Sequence, residues 1–234
     1  MIVLGIDTAT PKTSVALGDD RRLLASLSIE GPARQDVVAS AVERLLAWVD
    51  RDPGRLAGVA VGTGPGLFTG LRVGVETAKT LAQVLRIPIV GIPSLDVLAY
   101  GVRHADRPIA AVIDARRGEV FWAIYRPVPG GVAREGEFRV GPPDHLVADL
   151  RARDEHVLVA GNGAILYREV LAEVGRLEFA SPGADDPHAS SLVELAAPRF
   201  EREEHDRWSE IVPLYLRKSD AEIAWDERAR GATA

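Results

Sequence analysis

The stretch Gly62-Thr63-Gly64-Pro65-Gly66-Leu67-Phe68-Thr69-Gly70-Leu71-Arg72-Val73-Gly74 joins an apolar strand to a helix with small residues at every fourth position. The strand before it, Leu56-Ala57-Gly58-Val59-Ala60-Val61, is apolar without alternation, the pattern of a parallel strand buried on both faces. The helix after it runs from about Thr69 to Leu85. Along it Gly70, Gly74, Ala78 and Ala82 form a ridge at i, i+4, i+8 and i+12, beside a stripe of Leu71, Val75, Leu81 and Leu85. Two faces of one helix therefore want burial. A ridge of small residues lets a neighbouring backbone approach closely, and each interior glycine costs about 1 kcal/mol of helix propensity relative to alanine. The spacing points to a packing need and leaves open whether the neighbour belongs to the same domain or to another chain.

Working outward, Ile2 to Ile6, Ser14 to Leu17 and Leu23 to Ile29 read as three antiparallel strands, with turn signals at Thr10-Pro11 and Gly18-Asp19-Asp20. A helix from Gln35 to Val49 follows. It carries Val38, Val42, Leu45 and Val49 on one stripe, with Val37, Ala41 and Trp48 beside it, more apolar face than one sheet requires. After the ridge helix come a strand around Ile87 to Ile92 and a helix from Ser94, whose hydroxyl suits an N-cap. Past about Arg103 the pattern restarts with strands at Ile109 to Ile113, Glu119 to Tyr125 and Val132 to Val140. A helix from Asp144 to Arg153, a strand at Val157 to Ala160 and a helix from Ala164 to Val174 follow. The order βββαβαβα is thus echoed by βββαβα, which predicts two domains, 1–103 and 104–234. A last helix, Ala189 to Glu204, suits either half.

The 234 residues are 47% hydrophobic with a formal net charge of −6, and contain no cysteine. Disulfides, thiolate nucleophiles and sulfur ligands are excluded. An acidic balance argues against gripping nucleic acid by charge alone. The N-terminus lacks a charged leader and no apolar run is long enough to span a bilayer, so a cytoplasmic protein is expected. The segment from Lys218 to Ala234 is dense in mixed charge and reads as a frayed, solvated tail.

The opening Ile6-Asp7-Thr8-Ala9-Thr10, the stretch Gly62 to Gly74 with Ala78-Lys79, Gly91-Ile92-Pro93-Ser94-Leu95, Ile113-Asp114-Ala115-Arg116-Arg117-Gly118-Glu119-Val120 and Pro213-Leu214-Tyr215-Leu216-Arg217 together resemble the bacterial TsaB family, also called YeaZ. The resemblance implies an α/β, actin-like ATPase (ribonuclease H-like) fold of two duplicated βββαβαβα-type domains, the second reduced. It implies a part in making threonylcarbamoyladenosine beside the anticodon of tRNAs reading ANN codons, as the non-catalytic partner of a related transferase, TsaD. It further implies an interface with TsaD built by the first two helices, or with a second copy when TsaD is absent, and an assembly joined by the P-loop ATPase TsaE. Contact with tRNA is then expected only through the complex. On that basis Val37, Ala41, Trp48, Gly70, Arg72, Gly74, Ala78 and Ala82 are the expected interface residues.

Chemistry in the chain itself reads as weak. Asp7 ends the first strand, where actin-like kinases place a carboxylate near the Mg²⁺ of a nucleotide, but Ala9 follows where a phosphate-approaching turn favours glycine. The loop Gly62 to Gly66 suits an anion cradle at a helix start yet lacks the Gly-Lys-Ser/Thr ending of a Walker loop. An actin-fold kinase or ATPase using Asp7 and that loop is the alternative to a catalytically silent subunit. His104, His145, His156, His188 and His205 are scattered, so no metal site is expected, and no cofactor or catalytic residue is assigned. Arg72 in a first helical turn opposes the macrodipole and is expected to have an acidic partner. Asp7, Asp114, Arg116 and Glu119 are expected to face a cleft between the domains. Asn162, between two glycines, is expected to serve the backbone turn.

Overall fold

The computed structural model describes residues 1–19 and 22–217. Its first sheet is built from β1 (Ile2–Asp7), β2 (Lys12–Gly18), β3 (Leu23–Glu30), β4 (Leu56–Gly62) and β5 (Ile89–Ile92), ordered β3-β2-β1-β4-β5. β1 pairs antiparallel with β2 and parallel with β4, which puts the two unbroken apolar runs at the sheet centre. On one face lie α1 (Gln35–Trp48) and α2 (Phe68–Leu85), side by side. Val38, Val42 and Leu45 of α1 and Val75, Ala78 and Ala82 of α2 share a buried core with Leu4, Ile6, Val59 and Val61.

The second sheet repeats this plan. β6 (Ile109–Arg116), β7 (Glu119–Val128), β8 (Gly131–Gly141), β9 (Val157–Ala160) and β10 (Leu177–Phe179) are ordered β10-β9-β6-β7-β8, the same topology. One face is covered by α4 (Pro143–Arg151), α5 (Asn162–Leu166) and α6 (Arg168–Ala172). The helix expected from Ala164 to Val174 is thus two short helices meeting at Tyr167, whose φ of −107° and ψ of 26° leave the helical basin. β10 has no counterpart in the sequence reading, being only three residues long.

The remaining two helices are exchanged between the halves. α3 (Ser94–Gly101) follows the first sheet but packs Leu95, Leu98 and Ala99 on the second. α7 (Ala189–Glu201) follows the second sheet but packs Ala189, Leu192, Val193 and Ala196 on the first, and α3 and α7 touch each other. Beyond α7 the chain returns along the edge of β5, where Asp206 accepts a hydrogen bond from the Gly91 amide at 2.8 Å. The charged tail from Lys218 lies outside the described residues. Among the described residues no helix is long and apolar enough to cross a membrane, and no cluster of three potential metal ligands occurs.

Candidate functional site

Asp7 closes a knot rather than opening a site. It is 1% exposed. Its Oδ1 accepts the Ala9 amide at 2.9 Å and its Oδ2 accepts the Ser94 hydroxyl at 2.8 Å. Ser94 in turn accepts the Gly64 amide at 3.1 Å, while its own amide donates to the Gly64 carbonyl at 2.6 Å. The Ser94 hydroxyl therefore serves Asp7 and the loop, and the N-cap position belongs to Pro93. A Cβ on Gly62 would lie 1.8 Å from Asp7 Oδ2, so only glycine fits beside the carboxyl. Burial pushes the Asp7 pKa up to about 7, with the Ala9 and Ser94 hydrogen bonds pulling the other way. The expectation that Asp7 faces the cleft is corrected, because this packing seals it within the first half.

The same packing occupies the loop. The Thr63 amide donates to the Ile92 carbonyl at 2.9 Å, Gly64 donates to Ser94, and Pro65 has no amide hydrogen. The Leu67 amide donates to the Ala9 carbonyl at 2.8 Å, pressing the β1–β2 turn onto the start of α2. Donors that would cradle a phosphate are thus already engaged from Thr63 to Pro65 and at Leu67.

The ridge of α2 turns inward. A Cβ on Gly70 would lie 2.2 Å from the Thr8 carbonyl oxygen, and one on Gly74 would lie 2.2 Å from Thr8 Oγ1. Thr8 also donates to the Gly70 carbonyl at 2.7 Å. Ala41, Ala78 and Ala82 sit in the first core. As direct contacts for another chain, Ala41, Gly70, Gly74, Ala78 and Ala82 are therefore corrected, since their close neighbours are in this chain. What α1 and α2 present outward is different. Trp48 is 62% exposed and Val84 75% exposed, at the C-terminal ends of the adjacent helices, with Val37, Val73 and Leu81 half-buried along the same pair. Arg72 is exposed too, and among the described residues its partners are aromatic rather than acidic. Its guanidinium lies 4.3 Å over the Phe68 ring and donates to the Tyr215 hydroxyl at 3.2 Å, while Phe68 and Tyr215 stack at 4.9 Å.

Between the halves, Asp114 lies two residues before the end of β6 at 8% exposure, accepts the Arg116 amide at 2.9 Å and forms an ion pair with its guanidinium at 3.3 Å. Arg117 and Gly118 make the two-residue turn of the β6–β7 hairpin, both with positive φ. Glu119 pairs with Arg217 at 2.6 Å. Beside the hairpin a cavity of about 650 Å³ is lined by Thr10, Phe68, Arg116, Phe121, Leu216 and others from both halves.

Residues 33–225 match the family model described as TsaD: tRNA N6-adenosine threonylcarbamoyltransferase. The tRNA threonylcarbamoyladenosine biosynthesis protein TsaB of Bacillus subtilis strain 168 is 34% identical over 236 residues, covering 97% of this chain and 99% of that protein. The chain belongs to the TsaB family. YeaZ from Pseudomonas aeruginosa, a solved structure, is 28% identical with a TM-score of 0.77, covering 92% of this chain and 99% of that one. The ROK hexokinase of Thermus thermophilus, 15% identical, reaches a TM-score of 0.52 over 83% of this chain and 98% of its own, a likeness of fold alone. The architecture is the α/β actin-like fold, and TsaB membership places the chain in tRNA threonylcarbamoyladenosine biosynthesis.

Of the expected cleft residues in this TsaB relative, Asp114 and Arg116 come together and Glu119 joins them across the hairpin. Lys12, Asp185 and Asp186 belong to the same region and carry no motif of their own, and Tyr215, from the Pro213 to Arg217 phrase, lines the neighbouring cavity. Asn162 does more than turn the backbone, since its Oδ1 accepts the Asp114 amide at 2.9 Å and its Nδ2 donates to Asp186 at 3.3 Å.

Proposed function

We propose that the chain is a non-catalytic subunit that docks a TsaD-type transferase through the outer face of α1 and α2. The observation that carries this is the exposure of Trp48 and Val84, large apolar groups near the C-terminal ends of adjacent helices whose inward faces are already filled. Aromatic anchors of this kind dominate binding energy at interfaces. Arg72 flanks the face at its other end. The inward ridge serves the interface indirectly, by fixing how α2 lies against the β1–β2 turn. With TsaD absent the same face accommodates a second copy, and TsaE and tRNA reach the chain through the assembled complex in the cytoplasm. The segments 1–103 and 104–234 then act as domains, the first carrying the docking face.

The engaged amides of Thr63, Gly64 and Leu67 and the sealed Asp7 favour this reading over an actin-fold kinase or ATPase. Reconstituted threonylcarbamoylation of tRNA tests it: transfer is expected to fall when the chain is omitted, and equal transfer without it overturns the proposal. Turnover of Mg²⁺-ATP by the isolated chain would contradict the non-catalytic role.

A further inference from the structure

We propose that Lys12 is a tethered counter-ion that fastens the second half of the chain to the first and so keeps the cleft between them shut. The fastening point is where the chain crosses back. Leaving β10 on the second sheet, it passes Asp185 and Asp186 and enters α7, which packs on the first sheet. β2 meets this crossing with two side chains from one face, as residues two apart in a strand must. Ser14 accepts the Ala189 amide at the start of α7 at 2.9 Å. The Lys12 ammonium lies 2.6 Å from Asp185 and 2.9 Å from Asp186.

The clasp reaches further than the crossing itself. Asp186 is only 6% exposed, and its other oxygen receives the Asn162 side chain, which holds the Asp114 amide near the end of β6. One ammonium on the first sheet is thereby linked to α5, to the centre of the second sheet and to the crossing. Burial works against the Lys12 charge, but the hydrogen bonds to Asp185 and Asp186 outweigh it and raise its pKa, so the clasp stays charged throughout the physiological range. Without it, Asp185, Asp186, Asp114 and Glu30 would line a cavity of about 340 Å³ with Arg116 as the remaining cation among its lining residues. Of these, Asp114 and Asp186 are buried, an uncompensated buried carboxylate is costly, and the two halves relieve the cost by moving apart.

The absence of cysteine makes a distance measurement direct. Spin labels on a Glu30→Cys, Ile165→Cys chain stand on opposite walls of this cavity, at positions that are exposed on both sides. One narrow distance is expected with Lys12 in place and with Lys12→Arg, which keeps the charge. Lys12→Met, which keeps the stem and loses the charge, is expected to give a broader distribution shifted to longer distance. Hydrogen exchange on the same variant guards against general unfolding: residues 182–192 are expected to exchange about ten-fold faster, with β4 and α2 as protected as before. Asp185→Asn, which leaves Asp186 to hold Lys12, is expected to fall between the two. Identical distance distributions in the Lys12→Met and parent chains, or a uniform rise in exchange along the whole chain, overturn the proposal.

Discussion

The two central strands of the molecule end alike and mean different things. β1 and β6 hold the same place in sheets of the same order, and each carries, at or within two residues of its C-terminal end, an aspartate whose carboxylate accepts the amide two residues on, Ala9 or Arg116, at 2.9 Å. At Asp7 the neighbouring strand brings Gly62 against the carboxyl and α3 brings Ser94, so the group is boxed in. At Asp114 the chain turns through Arg116, Arg117 and Gly118 at positive φ, and the carboxylate keeps an arginine on its open side. A duplicated fold supplies the position of the acid. Its side-chain neighbours decide whether that acid is a structural knot or a group lining a cleft.

The sharpest way to break this contrast is to fill the space beside each acid. Gly62→Val places carbon on Asp7 Oδ2 and is expected to cost more than about 4 kcal/mol or to prevent folding, read by urea unfolding of purified protein. Gly118→Ala at the second hairpin meets open space at a φ of 77°, and about 1 kcal/mol is expected from conformation alone.

A titration tests the boxed-in acid next. Because folding raises the Asp7 pKa from 3.8 to about 7, the neutral form is favoured in the fold. The stability it lends is full below the unfolded value and is lost as pH rises from about 4 through about 7. Asp7→Asn is therefore expected to gain on the parent chain between pH 4 and pH 8, by a difference on the order of 4 kcal/mol at most. Urea unfolding at the two pH values reads it, and an unchanged difference contradicts the sealed carboxyl. The smallest effect is expected at the cleft rim, where the Arg217–Glu119 pair is partly solvated. Arg217→Ala is expected to lower stability by less than about 1 kcal/mol, measured in the same way.

Much of the architecture was legible because the β1 and β4 runs and the apolar stripe of α1 are strong periodic signals. What escaped was tertiary or very short. Nothing in Ser94 to Gly101 announces a helix that leaves its own sheet, and the side chosen by α7 depends on surfaces assembled from both halves. β10, Leu177-Glu178-Phe179, is too brief to show a period, and the break at Tyr167 has no glycine or proline to mark it. At the site, the glycines of α2 correctly signalled close approach, yet their neighbour, Thr8, lies more than sixty positions away and cannot be read from spacing. Arg72 is expected to meet an acid and, among the described residues, meets Phe68 and Tyr215, because an aromatic face and a hydroxyl also satisfy a guanidinium. Lys12 and Asp186 were silent for the same reason as α7, since their partnership exists only once the chain has crossed back.

The contrast between the inward ridge and the outward face of α1 and α2 is tested most directly by calorimetric affinity for the TsaD-type transferase. The double variant Trp48→Ser, Val84→Ser removes exposed groups only, so its thermal midpoint is expected to match that of the parent chain. Its affinity is expected to fall about 100-fold or more, the loss of roughly 2.7 kcal/mol that a pair of interface anchors supports. Parent-like affinity in a folded double variant would contradict docking through this face.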